Sequence, residues 1–236
     1  MIKNLIFDFG KVLVDYEYFE TLDQIFKTHE QAEEFYHLLI DGKWNENMDR
    51  GDSFEDTFCK MQQIMPQYKN EIAVVSQRFN EFVRGEKEGM RDLLAQLKSE
   101  GYHLYGLSNW CTKCHETMAQ YPIFQLLEGQ VISSEEKIIK PDQAIYERLC
   151  QKYSLLPEEC LFADDRMENV EAARKFGMQA ICFEDAVQYE QELRKLLKFY
   201  VGVHQTENCC LEMERNLLIF KDIAYMRSAW SNDAHH

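Results

Sequence analysis

The sequence predicts an α/β protein with a Rossmann-like, doubly wound parallel sheet and a small helical insert after the first strand. Three observations predict it. Short apolar runs recur along the chain, amphipathic stretches lie between most of them, and one long segment near the start breaks the alternation.

The runs are Leu5-Ile6-Phe7, Leu104 to Leu107, Gln130 to Ile132, Leu161-Phe162-Ala163 and Ala180 to Phe183. Each is too short for a helix and apolar at consecutive positions, as a strand covered on both faces must be. Four intervening stretches, Gly89 to Glu100, Cys111 to Gln120, Asp142 to Tyr153 and Met167 to Phe176, have helical spacing and are punctuated by Gly101, Pro122, Pro157 and Gly177. Tyr16 to Phe82 is different: charged, aromatic and helical in period, with no strand run of its own. Beyond Lys198 the strand rhythm stops, and Asn208 to Trp230 reads as one amphipathic helix. The expected organisation is an α/β core of residues 1–15 and 83–197, a helical insert of 16–82 and a C-terminal helical extension of 198–236.

With 236 residues and 45% apolar content, the chain can build one sizeable core. Forty-one acidic against 26 basic residues give a formal charge of −15, which repels a nucleic-acid backbone and an anionic membrane surface. No stretch approaches the roughly 18 apolar residues that a membrane span needs. The start, MIKNLIFDFGKVLVD, does not read as a signal peptide, and eight scattered cysteines show no disulfide framework. A reducing, cytoplasmic setting is expected. No pattern in the sequence sets the oligomeric state. For an anionic substrate the overall field is adverse, so local donors, a lysine and a cation would have to invert it inside the site.

In open α/β sheets ligands bind beyond the carboxyl ends of the strands, so the polar residues that follow each run are the ones to inspect. They are Asp8-Phe9-Gly10, Ser108-Asn109, Lys140-Pro141 in the loop after the third run, and Asp164-Asp165. Taken singly, Asp8 could close a turn, Ser108 could cap a helix, Lys140 could be solvated, and Asp164-Asp165 could open a helix. Together they predict two carboxylate positions, a hydroxyl and an ammonium converging on one crevice.

At these residues the chain resembles the haloacid dehalogenase superfamily. The resemblance is carried by Phe7-Asp8-Phe9-Gly10-Lys11-Val12-Leu13-Val14, Leu107-Ser108-Asn109, Lys140-Pro141-Asp142, and Phe162-Ala163-Asp164-Asp165 with Asn169 and Ala172. It covers residues 1 to 197, and the insert matches the family's first type of cap in position and size. Within the superfamily it is most similar to the sugar-1-phosphate phosphatase and epoxide-hydrolase N-terminal branch.

What the resemblance implies is a magnesium-dependent phosphatase acting on a small phosphorylated metabolite, with a sugar phosphate as a family-based guess. Asp8 would be the nucleophile that carries the phosphoryl group. Magnesium would be held by Asp8, the Gly10 carbonyl and Asp165, with Asp164 as a further ligand or orienting carboxylate. Ser108 and the Asn109 amide would hold phosphate oxygens while Lys140 neutralises developing charge. A metal-free haloacid dehalogenase is the family alternative, and the Asp164-Asp165 pair weighs against it. One residue departs from the pattern: Gly10 stands where most phosphatases of the family carry an Asp that serves as general acid and base. Activity is therefore expected to rise steeply with leaving-group acidity and the phosphoenzyme to accumulate, unless Asp15 or a cap carboxylate supplies the proton.

Three rival readings need testing. Cys111-x-x-Cys114-His115 imitates a haem attachment or metal motif, with both cysteines and the histidine on one helical face. Gly106-Leu107-Ser108-Asn109-Trp110 approaches the serine-esterase elbow but ends in Trp110 where that motif has glycine. A chain without a carboxylate at position 10 could also only bind a phosphorylated ligand. Trp44, Asn45, Tyr16, Tyr18 and Phe19 are the insert residues from which crevice-facing positions would come.

Overall fold

The computed structural model describes residues 2–197, so the helix expected over Asn208 to Trp230 lies outside the described residues. Strand β1 (Asn4–Phe7) runs into Asp8, and a tight turn leads to β2 (Val14–Tyr16). Five helices follow: α1 (Phe19–Ile25), α2 (His29–Asp41), α3 (Trp44–Asp49), α4 (Phe54–Ile64) and α5 (Lys69–Gln77). The chain then returns through β3 (Val83–Glu86) to α6 (Met90–Ser99) and β4 (His103–Ser108). Next come α7 (Cys114–Gln120), β5 (Gly129–Ile132), α8 (Ser133–Glu136) and α9 (Gln143–Tyr153). The series closes with β6 (Cys160–Asp164), α10 (Met167–Phe176) and β7 (Gln179–Cys182).

Five strands form one parallel sheet in the order β5-β4-β1-β6-β7. From β1 the chain steps outward through β4 to β5, then crosses back to β6 on the other side. The strand order therefore reverses around β1, and the carboxyl end of β1 is the topological switch point where a crevice opens. All four residues of β1 are buried, which is why its sequence reads as an unbroken run rather than an alternating one. Ile6 packs with Leu107, Val131, Ile145, Leu149 and Phe162 under α9 and α10. On the opposite face Phe7 meets Tyr189 edge-on, with ring centroids 5.4 Å apart. Each fully buried side chain of this size stabilises the sheet by about 1.5–3 kcal/mol.

Two strands lie outside the expected runs. β2 and β3 pair antiparallel, Val14 opposite Glu86, with an irregularity between Asp15 and Tyr16. They are short and mixed in polarity, and their partners are distant in sequence, so neither periodicity nor turn chemistry marks them. The turn before β2 is closed by the amides of Val12, Leu13 and Val14 donating to the Phe9 carbonyl, and it puts Lys11 in the left-handed region at φ 63°.

The α1–α5 segment starts its longer helices with side-chain caps. Thr28 accepts from the Gln31 amide and Ser53 from the Asp56 amide, each satisfying a donor that the first turn leaves unpaired. Its interior is aromatic, with Phe79 in edge contact with both Phe54 and Phe82. Among the described residues no helix is long and apolar enough to cross a membrane.

Candidate functional site

The site grows from the end of β1. The Asp8 amide extends the sheet by donating to the Ala163 carbonyl at 2.9 Å, which fixes the side chain above the carboxyl ends of β1 and β6. Asp8 Oδ1 accepts from the Phe9 amide at 2.7 Å and from Ser108 Oγ, at the end of β4, also at 2.7 Å. Lys140 Nζ lies 2.9 Å from the same oxygen. The Lys140 side chain is almost wholly buried; its ammonium donates to Asp164 Oδ2 at 2.6 Å and to the Leu107 carbonyl at 2.9 Å. Three strand ends and one loop thus meet at a single ammonium.

Asn109 holds that loop in place. Its Nδ2 donates to the Lys140 carbonyl at 2.9 Å, and the Lys140 amide donates to its Oδ1 at 2.8 Å. Asp164 is saturated by its neighbours, taking Asn169 Nδ2 on both oxygens and the Arg166 amide on Oδ1 besides Lys140. Asp165 has no hydrogen bond to any other side chain among the described residues. Carboxylate oxygens of Asp8, Asp164 and Asp165 lie within 4.8 Å of one another.

Burial raises the Asp8 carboxyl to about 6 in spite of the attraction of Lys140, with the Asp164 charge adding to the rise. Asp165 is raised by burial and by Asp164. For Lys140, burial pulls downward, but Asp164 and Asp8 outweigh it and the net direction is up. The three carboxylates therefore carry more negative charge than one lysine offsets. A divalent cation is the kind of group that this donor set fits.

Above the cluster is a cavity of about 580 Å³, within the range of small-molecule sites. Its floor includes Asp8, Gly10, Ser108, Asn109, Lys140 and Asp165. Of the five insert residues among which the sequence left the choice open, Tyr16, Tyr18 and Asn45 line it, whereas Trp44 and Phe19 do not. Asp49 and Tyr36 also line it, and the sequence reading did not single them out. The available signal was Asn45 and Asp49 one helical turn apart, a polar pair on one face of α3.

The model of the haloacid dehalogenase-like hydrolases matches residues 2–177. The chain belongs to this family. A sesquiterpene phosphatase of Aspergillus oryzae is 27% identical to this hydrolase over 197 residues, covering 83% of the chain and 96% of that protein. A D-ribitol-5-phosphate phosphatase of Bacteroides thetaiotaomicron is 24% identical over 212 residues, covering 84% and 99%. Among solved structures, a haloacid dehalogenase family enzyme from the same bacterium, in complex with magnesium and inorganic phosphate, superposes with a TM-score of 0.65. That match has 22% identity and covers 79% of the chain and 96% of the other, so it speaks for the fold.

Two rival readings fail against the geometry of this hydrolase. Ser108 donates to a carboxylate rather than to an imidazole, and among the described residues no histidine lines the cavity. The described histidines nearest in sequence, His103 and His115, pair with Glu128 and Glu135. Without an imidazole beside the hydroxyl the serine-histidine pair that the elbow motif serves is not formed among the described residues. The Cys-x-x-Cys-His motif does not form one helical face either, because α7 begins only at Cys114. Cys111 and Cys114 are buried, and burial pushes both thiols up to about 12, while His115 is exposed. Among the described residues these three side chains do not bring their ligand atoms together as Asp8, Asp164 and Asp165 do.

Proposed function

We propose that this hydrolase is a magnesium-dependent phosphatase of small phosphorylated metabolites that works through an aspartyl-phosphate on Asp8. The observation that carries the reading is the buried cluster at the switch point: three carboxylates around one ammonium, at the floor of a cavity of metabolite size. In this reading residues 1–15 and 83–197 are the catalytic core and 16–82 is the cap that shapes the substrate space. The phosphatases among its relatives support the same activity. The free thiols among the described residues support a reducing, cytoplasmic setting.

Asp8 attacks phosphorus, a P–O bond forms on its carboxylate, and the bond to the leaving alcohol breaks with its electron pair on the alcohol oxygen. Water then attacks the aspartyl-phosphate, freeing inorganic phosphate and the Asp8 carboxylate. Ser108 and the Phe9 amide orient the nucleophile, which both already contact. Lys140 stabilises charge that builds on the transferring group, and Asn109 fixes the loop that carries Lys140. Magnesium would be held by Asp8, the Gly10 carbonyl and Asp165, and when bound it screens the repulsion between Asp8 and an incoming phosphate. Asp164, saturated by Lys140 and Asn169, is the orienting carboxylate. A metal-free dehalogenase would leave Asp165 without a task.

The test is phosphate release from a panel of phosphorylated metabolites with magnesium and with chelator, for the wild type and Asp8→Asn. Release that depends on magnesium and vanishes in the variant is expected. Release undiminished in Asp8→Asn removes Asp8 from the mechanism, and no release from any phosphomonoester leaves a ligand-binding module.

A further inference from the structure

The cavity has a carboxylate that the mechanism so far does not use. Its lining includes five: Asp8 and Asp165 on the floor, and Glu46, Asp49 and Glu168. Glu46 is paired with Arg50 at 3.1 Å and Glu168 with Arg166. Asp49 has no ion pair among the described residues. Its recorded side-chain partner is Asn45, whose Nδ2 donates to Oδ2 at 3.2 Å, and its other oxygen is not engaged by that bond. Asp15, the non-cap candidate raised by the sequence, lies elsewhere. It is outside the cavity lining and paired with Lys87 at 2.8 Å.

Position 10 itself contributes no proton. A Cβ built on Gly10 would meet nothing within 4 Å, so the absence of a side chain there does not reflect crowding. The proton must come from another wall of the cavity.

We propose that Asp49, at the end of α3 on the cap side of the cavity, is the proton donor to the departing oxygen and the proton acceptor from water in the second step. The assignment rests on the phosphatase reading given above. In the first step the Asp49 carboxyl proton passes to the alcohol oxygen as its bond to phosphorus breaks. In the second, the Asp49 carboxylate takes a proton from water as the water oxygen bonds to phosphorus and the bond to Asp8 breaks, which restores the starting state. Burial and the nearby charges of Asp8 and Glu46 hold Asp49 up to about 8, so the proton is present at neutral pH. A general acid on the cap would be brought to the leaving group by the same element that encloses the substrate, and water would be excluded at the moment of transfer.

The wild type is then expected to show a shallow dependence of kcat/KM on leaving-group acidity, which replaces the steep one that Gly10 alone predicts. Asp49→Asn, nearly isosteric, should lose about 10² to 10⁴ in kcat/KM for primary alkyl phosphates and less than about tenfold for dinitrophenyl phosphate, whose leaving group needs no proton. Rapid quench of the variant with dinitrophenyl phosphate should trap a phosphoenzyme on Asp8, because the water step has lost its base. An equal loss across the series shows Asp49 to be a binding or structural residue and overturns the proposal. A wild-type steep dependence that Asp49→Asn leaves unaltered also overturns it. A wild type that turns over none of these esters refutes the phosphatase reading itself, whereas the two preceding outcomes leave that reading intact.

Discussion

Asp8→Asn should stabilise the metal-free protein while abolishing turnover. Burial lifts the Asp8 carboxyl from its ordinary 3.8 to about 6, so at neutral pH the folded chain holds an ionised group that its surroundings disfavour. At 1.36 kcal/mol per pKa unit that cost is about 3 kcal/mol. The sign follows from linkage. A carboxyl raised on folding adds stability below pH 3.8 and loses it as pH rises through about 6. Asparagine keeps the oxygen that accepts from Ser108 and Phe9 but has no charge to bury. In urea unfolding with EDTA the variant should therefore exceed the wild type by about 3 kcal/mol at pH 8, and the gap should fall to roughly half at pH 5. Magnesium should close most of this gap, since a ligand at a hundred times its Kd stabilises the wild type by about 2.7 kcal/mol and the variant has lost one of its carboxylates. A variant no more stable than the wild type at pH 8 would show that the attraction of Lys140 outweighs the burial of Asp8.

The other two substitutions probe the same cluster from its remaining sides. Lys140→Ala leaves Asp8 and Asp164 facing each other without their shared ammonium; it should cost about 3–5 kcal/mol in urea unfolding. It should also lower kcat/KM by about 10² to 10³, and a loss below tenfold would remove Lys140 from transition-state stabilisation. Asp165→Ala should cost little stability, because its carboxyl is itself raised by burial and among the described residues it has no hydrogen bond to another side chain. It should nonetheless cost about 10² or more in kcat/KM and shift the magnesium requirement upward, and an unchanged magnesium titration would refute its role as a ligand.

The parallel sheet was legible because its strands are buried on both faces, and that condition writes itself as runs such as Leu5-Ile6-Phe7 and Leu161-Phe162-Ala163. The positions of Asp8, Ser108, Lys140 and Asp164 were legible for a related reason: the rule that ligands bind at strand ends tells the reader where to look before any geometry is known. What stayed hidden lacks a local signature. β2 and β3 have four residues or fewer, and each depends on a partner some seventy residues away in the chain. Asn109 was read as a backbone donor, whereas its side chain also clamps the Lys140 loop, a contact between a strand end and a distant loop that spacing cannot reveal. Asp49 sits in a charged, helical segment where a solvated carboxylate is the default expectation. Only the fold of α1–α5 over the cavity distinguishes it from Glu46, three residues earlier and ion-paired.

The charge of the whole chain sets a condition on how such a site can be filled. A protein of −15 repels a phosphate ester at long range, and the crevice does not reverse that by itself. Lys140, the ammonium at its floor, is already shared between Asp8 at 2.9 Å and Asp164 at 2.6 Å, so little of its positive charge is left for a ligand. With Asp165 added, the floor is net negative before any substrate arrives. Lys11, Arg50 and Arg166 also line the cavity, but Arg50 and Arg166 are paired with Glu46 and Glu168, so protons on the floor carboxyls or a cation among them would favour anion binding. Protonating Asp8 gains affinity at the expense of the nucleophile, whereas a cation leaves its carboxylate ionised. Magnesium should therefore strengthen substrate binding at neutral pH, and by reciprocity the phosphorylated substrate tightens magnesium by the same factor.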